Sequence, residues 1–143
     1  REYTVTTVAE AYEGFDSLFA AYRAAGGKIC VASHSEAMNI KRDYRTLFGF
    51  EPDLVFGWER PEPERKPHPF PLDETMKVLG LTSKELLMVD DLMPGYDMAA
   101  ARNVDFAYAG WSDTAFAAGA EVRPVAKYAF DRVAALNDFL MGS

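Results

Sequence analysis

Short apolar runs alternate with amphipathic stretches along most of the chain. The apolar runs are bounded by turn residues and predict strands at 28–32, 53–58, 86–90 and 104–110, with a fifth candidate at 125–130. The amphipathic stretches repeat apolar residues at helical spacing and predict helices at 16–27, 35–49, 72–80, 96–103, 113–121 and 131–140. This alternation indicates βαβ units, so we expect a Rossmann-like three-layer α/β sandwich with a mostly parallel sheet.

Residues at the ends of these stretches mark where the helices start and stop. Asp16 fits the N-cap of the first helix, and Gly49 closes the second. Pro71 suits the first turn of the third helix, where a backbone N–H would have no helical partner. Helical spacing predicts that the inner face of the second helix carries Met38, Tyr44, Leu47 and Phe48.

Composition narrows the class of protein. The 143 residues suit one domain, and 49% of them are apolar, which is enough for a core. A net charge of −7 argues against a nucleic-acid or anionic-membrane partner, because both require basic patches. The single cysteine, Cys30, allows neither an internal disulfide nor a cysteine-based metal site, so we expect a reducing, cytoplasmic location. No apolar run is long enough to span a membrane.

Polar residues follow the predicted strands at the edge where parallel α/β sheets bind their ligands. Ser33 and His34 come directly after the first predicted strand, and Asp90 and Asp91 close the third. Lys66 lies in the proline-rich loop before the third helix. We therefore expect these side chains to converge on one edge of the sheet.

This set of residues suits phosphate chemistry. Two adjacent carboxylates are costly unless a cation lies near them, and Mg²⁺ prefers such hard oxygen ligands. The Ser33 hydroxyl can donate to a phosphoryl oxygen, and Lys66 adds a compact positive charge. We assign His34 to substrate binding together with Ser33 and Lys66.

Several of these residues also have a purely structural interpretation. A serine after a strand is most often a helix N-cap, and Ser35 fits that position better than Ser33. Lys66 alone would be an ordinary solvated lysine of a charged loop. Asp97, close to the two aspartates in sequence, is more simply a first-turn acid that offsets the helix dipole.

Taken in order, three segments resemble the motifs of the haloacid dehalogenase (HAD) superfamily. The family's second motif, an apolar strand ending in Ser or Thr, is matched by KICVASHS with Ser33. The third, a lysine often set in Lys-Pro-x-Pro, is matched by KPHPFPL with Lys66. The fourth, a strand ending in Gly-Asp or Asp-Asp with a further acid, is matched by LLMVDDLMPGYDMAAARN with Asp90, Asp91 and Asp97. The resemblance covers nearly the whole chain.

The resemblance implies a Mg²⁺-dependent phosphohydrolase that acts on a small phosphorylated metabolite through an aspartyl-phosphate. Ser33 and Lys66 would be the catalytic groups that hold the phosphoryl group. Asp91, with Asp90 beside it, would bind Mg²⁺, and Asp97 would be a supporting acid.

The family's first motif, Asp-x-Asp, does not occur in the 143 residues. In the family its first aspartate is the nucleophile and sits at the end of the central strand, so we expect that strand to be missing from this chain. Residues 1–14 would then be a remnant of a cap and hinge, and 15–143 the HAD-like core.

Three explanations for the missing motif remain open. The chain is a fragment with the nucleophile upstream, a subunit completed by a separate chain carrying the N-terminal segment, or a non-catalytic binding or regulatory module. We favour the fragment, because a core that lacks its central strand would expose unpaired strand edges.

Overall fold

The computed structural model of the chain describes residues 3–9, 14–111 and 121–142. The strands in these ranges are β1 (Val5–Val8), β2 (Lys28–Ala32), β3 (Leu54–Phe56), β4 (Leu86–Asp90), β5 (Asp105–Ala109) and β6 (Tyr128–Phe130). The α-helices are α1 (Phe15–Ala24), α2 (Ala37–Phe48), α3 (Phe70–Leu79), α4 (Met93–Ala100) and α5 (Val133–Leu140). Short 3₁₀ turns at Glu62–Glu64 and Ser83–Glu85 lie in the connections.

All six strands are parallel and form one sheet in the order β3-β2-β1-β4-β5-β6. The predicted parallel α/β sandwich is therefore confirmed. The expectation that its central strand would be missing is wrong, because β1 pairs with both β2 and β4 and fills the centre of the sheet. Part of the segment 1–14 thus lies within the core of this structure. Its assignment as the remnant of a cap and hinge stays a prediction.

Side chains of the strands alternate between two apolar layers, one on each face of the sheet. Ile29 and Val31 of β2 belong to the layer that includes residues of α1, α2 and α5. Cys30 and Ala32 belong to the opposite layer, which includes residues of α3 and α4. Strands covered on both faces must be apolar throughout, which explains why they are visible in the sequence as continuous apolar runs.

Two threonines interrupt the apolar character of the central strand. Thr6 and Thr7 are 0% and 1% exposed, and neither hydroxyl has a hydrogen-bond partner in the described part of the chain. Leaving a buried hydroxyl unpaired costs roughly 1–3 kcal/mol. The two polar residues also explain why β1 was not predicted as a strand.

Two details of the predicted helices are wrong for local reasons. α1 has Gly14 at its N-cap position, so Asp16 lies in the first turn rather than at the cap. Met38 and Leu47 of α2 are 74% and 66% exposed, because the buried stripe of this helix runs through Ile40 and Tyr44. Tyr44 was correctly predicted as an inner residue.

The segment that follows β4 also differs from its predicted form. α4 starts at Met93, whereas the predicted helix began at 96. The helix can include Pro94 because the backbone N–H groups of a first turn have no helical partner. The helix predicted at 113–121 falls almost entirely outside the described residues. In the described part of the chain, no helix has the length and hydropathy needed to cross a bilayer.

Candidate active site

The candidate residues lie at the carboxyl ends of three neighbouring strands, at one edge of the sheet. Ser33 follows β2, Asp90 is the last residue of β4, and Ala9 follows β1 between them. The Ala9 N–H donates to the Val89 carbonyl at 3.3 Å, which extends the parallel pairing to this edge. The convergence predicted from the strand ends is thus present for Ser33 and Asp90, with an alanine at the end of the central strand.

Lys66 and Asp90 form a buried ion pair at this edge. Lys66 Nζ donates to Asp90 Oδ2 at 3.1 Å, and the two side chains are 5% and 1% exposed. Lys66 comes from the loop between β3 and α3, so the pair ties that loop to the end of β4. Removing either partner would leave an uncompensated buried charge, which is strongly destabilising. Lys66 is therefore not an ordinary solvated lysine.

The Asp90 carboxyl group is a weaker acid than an exposed aspartate. Burial raises its pKa from 3.8 to about 6, although the Lys66 ammonium and the hydrogen bond from the Asp91 N–H act in the opposite direction. That N–H donates to Asp90 Oδ1 at 2.7 Å. Both carboxylate oxygens of Asp90 therefore have a protein partner, while the adjacent Asp91 is also buried, at 8% exposure.

Gly95, in the first turn of α4, lets the helix approach the Asp90 carboxylate closely. A Cβ atom at this position would lie 2.1 Å from Asp90 Oδ2 and 2.8 Å from Asp90 Cγ. No side chain fits at those distances unless the carboxylate moves. The Pro-Gly pair after the two aspartates thus starts the helix and makes room for Asp90.

The loop after β2 is fixed by hydrogen bonds that involve Ser33. The Ser33 N–H donates to the Phe56 carbonyl at 3.0 Å, and Ser33 Oγ accepts from the Ser35 N–H at 3.1 Å. Ser35 does not cap α2, because the first N–H of the helix, on Ala37, donates instead to Glu59 Oε1 at 2.8 Å. The predicted Ser35 cap is therefore wrong, and a distant glutamate takes its place.

His34 is joined to the lysine loop through aromatic contacts. The exposed His34 ring meets the Trp58 ring edge to face, with centroids 4.5 Å apart. The Arg65 guanidinium lies over the same indole at 4.0 Å from its centroid. Arg65 also lines a small cavity together with Ser33 and Lys66. Arg65 was not predicted as a site residue, and its only signal in the sequence is its position next to Lys66.

Asp97 lies apart from the other candidates. It is exposed and sits past the first turn of α4, which contains no acidic residue. The prediction that Asp97 is a first-turn acid is therefore wrong. Its role as a supporting acid stays a prediction.

Asp90 and Asp91 line a second small cavity together with Ala9 at the end of β1. Across residues 3–9, 14–111 and 121–142, no group of three or more His, Cys, Asp or Glu side chains is arranged to hold a metal ion. A cation at this edge would therefore need oxygen ligands beyond the two aspartates.

The arrangement as a whole combines a hydroxyl, an ammonium group and two carboxylates at one edge of the sheet. Ser33 and Lys66 share one cavity, Lys66 contacts Asp90, and Asp90 shares the other cavity with Asp91. Such a set can neutralise and orient an oxyanion, because donors and a cation lie beside carboxylates suited to a hard metal ion.

Solved structures with the same fold include proteins about twice as long as this chain. A proposed phosphoglycolate phosphatase from Lactobacillus delbrueckii subsp. bulgaricus is 22% identical, with a TM-score of 0.77 over 92% of this chain and 54% of that one. CbbY from Rhodobacter sphaeroides, solved in complex with phosphate, is 20% identical, with a TM-score of 0.71 over 87% and 55%. The chain thus spans about half the length of these two proteins.

One solved structure has the same extent as this chain. An uncharacterised protein from Listeria monocytogenes serotype 4b is 16% identical, with a TM-score of 0.69 over 96% of this chain and 97% of that one. Identities this low establish a common fold. No protein with curated annotation matches the chain significantly.

Sequence comparison with protein families agrees with the motifs and the topology. The family described as haloacid dehalogenase-like hydrolase matches residues 2–110, which contain β1 to β5 together with Ser33, Lys66, Asp90 and Asp91. The chain therefore belongs to the haloacid dehalogenase-like hydrolase family.

Proposed function

We propose that the chain is the core of a Mg²⁺-dependent phosphohydrolase that acts on a small phosphorylated metabolite. The observation that carries this proposal is the buried Lys66–Asp90 pair beside Asp91, with Ser33 at the end of a nearby strand. The two charges are buried at the carboxyl edge of the sheet, where parallel α/β sheets bind their ligands, and this position favours a functional role. A cytoplasmic location, which the single cysteine favours, belongs to the same proposal.

Each residue has a defined role in this proposal. Ser33 donates a hydrogen bond to a phosphoryl oxygen, and Lys66 stabilises the negative charge that develops during transfer. His34 contributes to substrate binding from the exposed rim, through the Trp58 contact that holds its ring. Asp91 is the metal-ligand candidate.

The residues present fit a magnesium ion in part. Mg²⁺ is usually held by one or two carboxylates, with water and substrate oxygens completing the shell. Asp91 is the candidate for one such carboxylate, and Asp90 could supply a second only by exchanging its contact with Lys66 or with the Asp91 N–H. When bound, Mg²⁺ supplies positive charge that offsets repulsion between the carboxylates and phosphoryl oxygens.

The nucleophile in this proposal is an aspartate upstream of Arg1. Its carboxylate would attack phosphorus and expel the alcohol, and water would then hydrolyse the aspartyl-phosphate. Because β1 occupies the centre of the sheet, that carboxylate would have to reach the edge beside Ala9 from a segment outside the described strands.

A non-catalytic binding or regulatory module is the second candidate. It is favoured by a specific observation, since β1 already completes the sheet and is followed by Ala9, which carries no acid. In that case Ser33 and Lys66 would bind a phosphorylated ligand without turning it over. A separate polypeptide that supplies the nucleophile would be a third arrangement, intermediate between the two.

The test is turnover of phosphate esters by the chain extended at its N-terminus with its natural upstream sequence. With Mg²⁺, we expect hydrolysis of members of a broad ester panel, lost in D91N and retained in D138N, which changes an exposed aspartate of α5. Absence of turnover, together with unchanged Mg²⁺ affinity in D91N, would refute the enzyme and favour the module.

A further inference from the structure

Arg65, next to Lys66 in the chain, is held by an exposed tryptophan. Its guanidinium lies 4.0 Å from the centroid of the Trp58 ring, and its Nη1 donates to the Trp58 carbonyl at 3.4 Å. Trp58 is anchored in turn, because its N–H donates to the Ser35 carbonyl at 3.0 Å and its ring meets His34. These contacts hold the Arg65 side chain in place but do not neutralise its charge.

The neighbouring cations of this loop are neutralised, whereas Arg65 is not. Arg60 pairs with Glu64 at 2.8 Å, and Lys66 pairs with Asp90 at 3.1 Å. Arg65 forms no ion pair with any carboxylate in the described ranges, and its buried Nε has no hydrogen-bond partner there. Because Nε is buried, an incoming oxyanion would meet the terminal Nη groups of the guanidinium, which form no ion pair with a described carboxylate.

The position of Arg65 connects it to the phosphoryl-binding residues. Arg65 lines the same small cavity as Ser33 and Lys66, so it is a neighbour of the proposed phosphate-binding residues. A guanidinium presents a planar fork of donors that matches a carboxylate or a second phosphate, and stacking on an indole fixes its plane. In the proposed function Ser33 and Lys66 bind the phosphoryl group, which leaves Arg65 for a second anionic group.

We propose that Arg65 binds a second anionic group of the substrate, so that the substrate class is phosphate monoesters that also carry a carboxylate. This inference rests on the proposed function, because it assumes that the first phosphoryl group is held by Ser33 and Lys66. Trp58 and His34 act as positioning residues that hold the guanidinium in place.

Binding of stable phosphonates to the chain tests this inference without requiring turnover. The probes are phosphonoacetate, 3-phosphonopropionate and 4-phosphonobutyrate, each compared with the alkylphosphonate of the same length. One member of the carboxylate series should bind about 10-fold more tightly than its uncharged counterpart, as expected for one charge-assisted hydrogen-bonded pair. R65Q should abolish this advantage, and R60Q, in the same loop, should retain it.

The outcomes separate the inference from the proposed function. If both series bind equally, or if R65Q keeps the carboxylate advantage, the inference is overturned. The phosphate site still stands in that case, provided that K66M weakens both series. If neither series binds, the phosphate site and the inference fall together.

Discussion

Lys66 Nζ lies 3.1 Å from Asp90 Oδ2 in a pair whose side chains are 5% and 1% exposed. The pair joins the proline-rich loop to the end of β4, and Gly95 of α4 lies against the same carboxylate. Because both side chains are shielded from bulk water, the pKa of the Asp90 carboxyl group depends on the Lys66 ammonium. This dependence can be measured without knowledge of the substrate.

Replacing Lys66 should make Asp90 a still weaker acid. In K66M, the loss of the ammonium leaves only the hydrogen bond from the Asp91 N–H to oppose burial, so the pKa of Asp90 should rise above its value of about 6. K66R, which keeps the positive charge, should stay closer to the wild-type pKa. Carboxyl ¹³C NMR titration of the metal-free protein gives the midpoint directly. An unchanged midpoint in K66M would show that the two side chains are not paired in solution.

The raised pKa of Asp90 also predicts how folding stability depends on pH. Between 3.8 and about 6, the folded state binds more protons at this group than the unfolded state does. The contribution of Asp90 to the free energy of unfolding should therefore fall as pH rises through this window and level off above it. Urea denaturation of wild type and D90N across the window measures this contribution. A difference between the two proteins that does not change with pH would contradict it.

Gly95→Ala should destabilise the protein, although the same change inside an open helix is favourable by about 1 kcal/mol. The new Cβ would lie 2.1 Å from Asp90 Oδ2, so the carboxylate must move and its pair with Lys66 must weaken. We expect a loss of about 1–3 kcal/mol in the free energy of unfolding, as for other overpacked sites.

The control for Gly95→Ala is the same change in a protein that lacks the conflicting carboxylate. In a D90A background, G95A should be neutral or stabilising, and the difference between the two backgrounds measures the clash. Equal effects in both backgrounds would mean that Asp90 does not lie against the helix.

Thr6→Val and Thr7→Val should each stabilise the fold. Both hydroxyls are buried and unpaired within the described residues, so removing them should raise the free energy of unfolding by about 1 kcal/mol each. Thr75→Val is the matched control, because the buried Thr75 hydroxyl donates to the Pro71 carbonyl at 2.8 Å. T75V should be destabilising. If T6V and T7V are destabilising as well, β1 does not occupy the centre of the sheet in the arrangement described.

The parallel architecture was predictable because its strands carry strong local signals. β2 and β4 are unbroken apolar runs, and helical periods separate them, so their order and direction follow from chain connectivity. β1 was missed because Thr6 and Thr7 break the apolar run, and its place in the sheet is decided by pairing with β2 and β4 rather than by its own pattern.

The candidate site was predictable where it depended on strand ends and not where it depended on loops. Ser33, Asp90 and Asp91 follow from the rule that ligands bind at the carboxyl ends of parallel strands. Glu59, Trp58 and Arg65 all lie in the connection between β3 and α3. The hydrogen bond from Ala37 of α2 to Glu59 and the stacking of Arg65 on Trp58 leave no periodic signal in the sequence.

We expect the carboxyl edge of β4 to bind a divalent cation through Asp91, beside the proposed phosphate site. Mn²⁺, which accepts the same oxygen ligands as Mg²⁺, broadens the NMR signals of nearby amides and so locates its own binding site. In the presence of inorganic phosphate, amides around Asp91 and Lys66 should broaden at the lowest Mn²⁺ concentration, and D91N but not D138N should abolish the effect. Broadening that begins instead at exposed acidic residues, or that is unchanged in D91N, would show that Asp91 does not bind the cation.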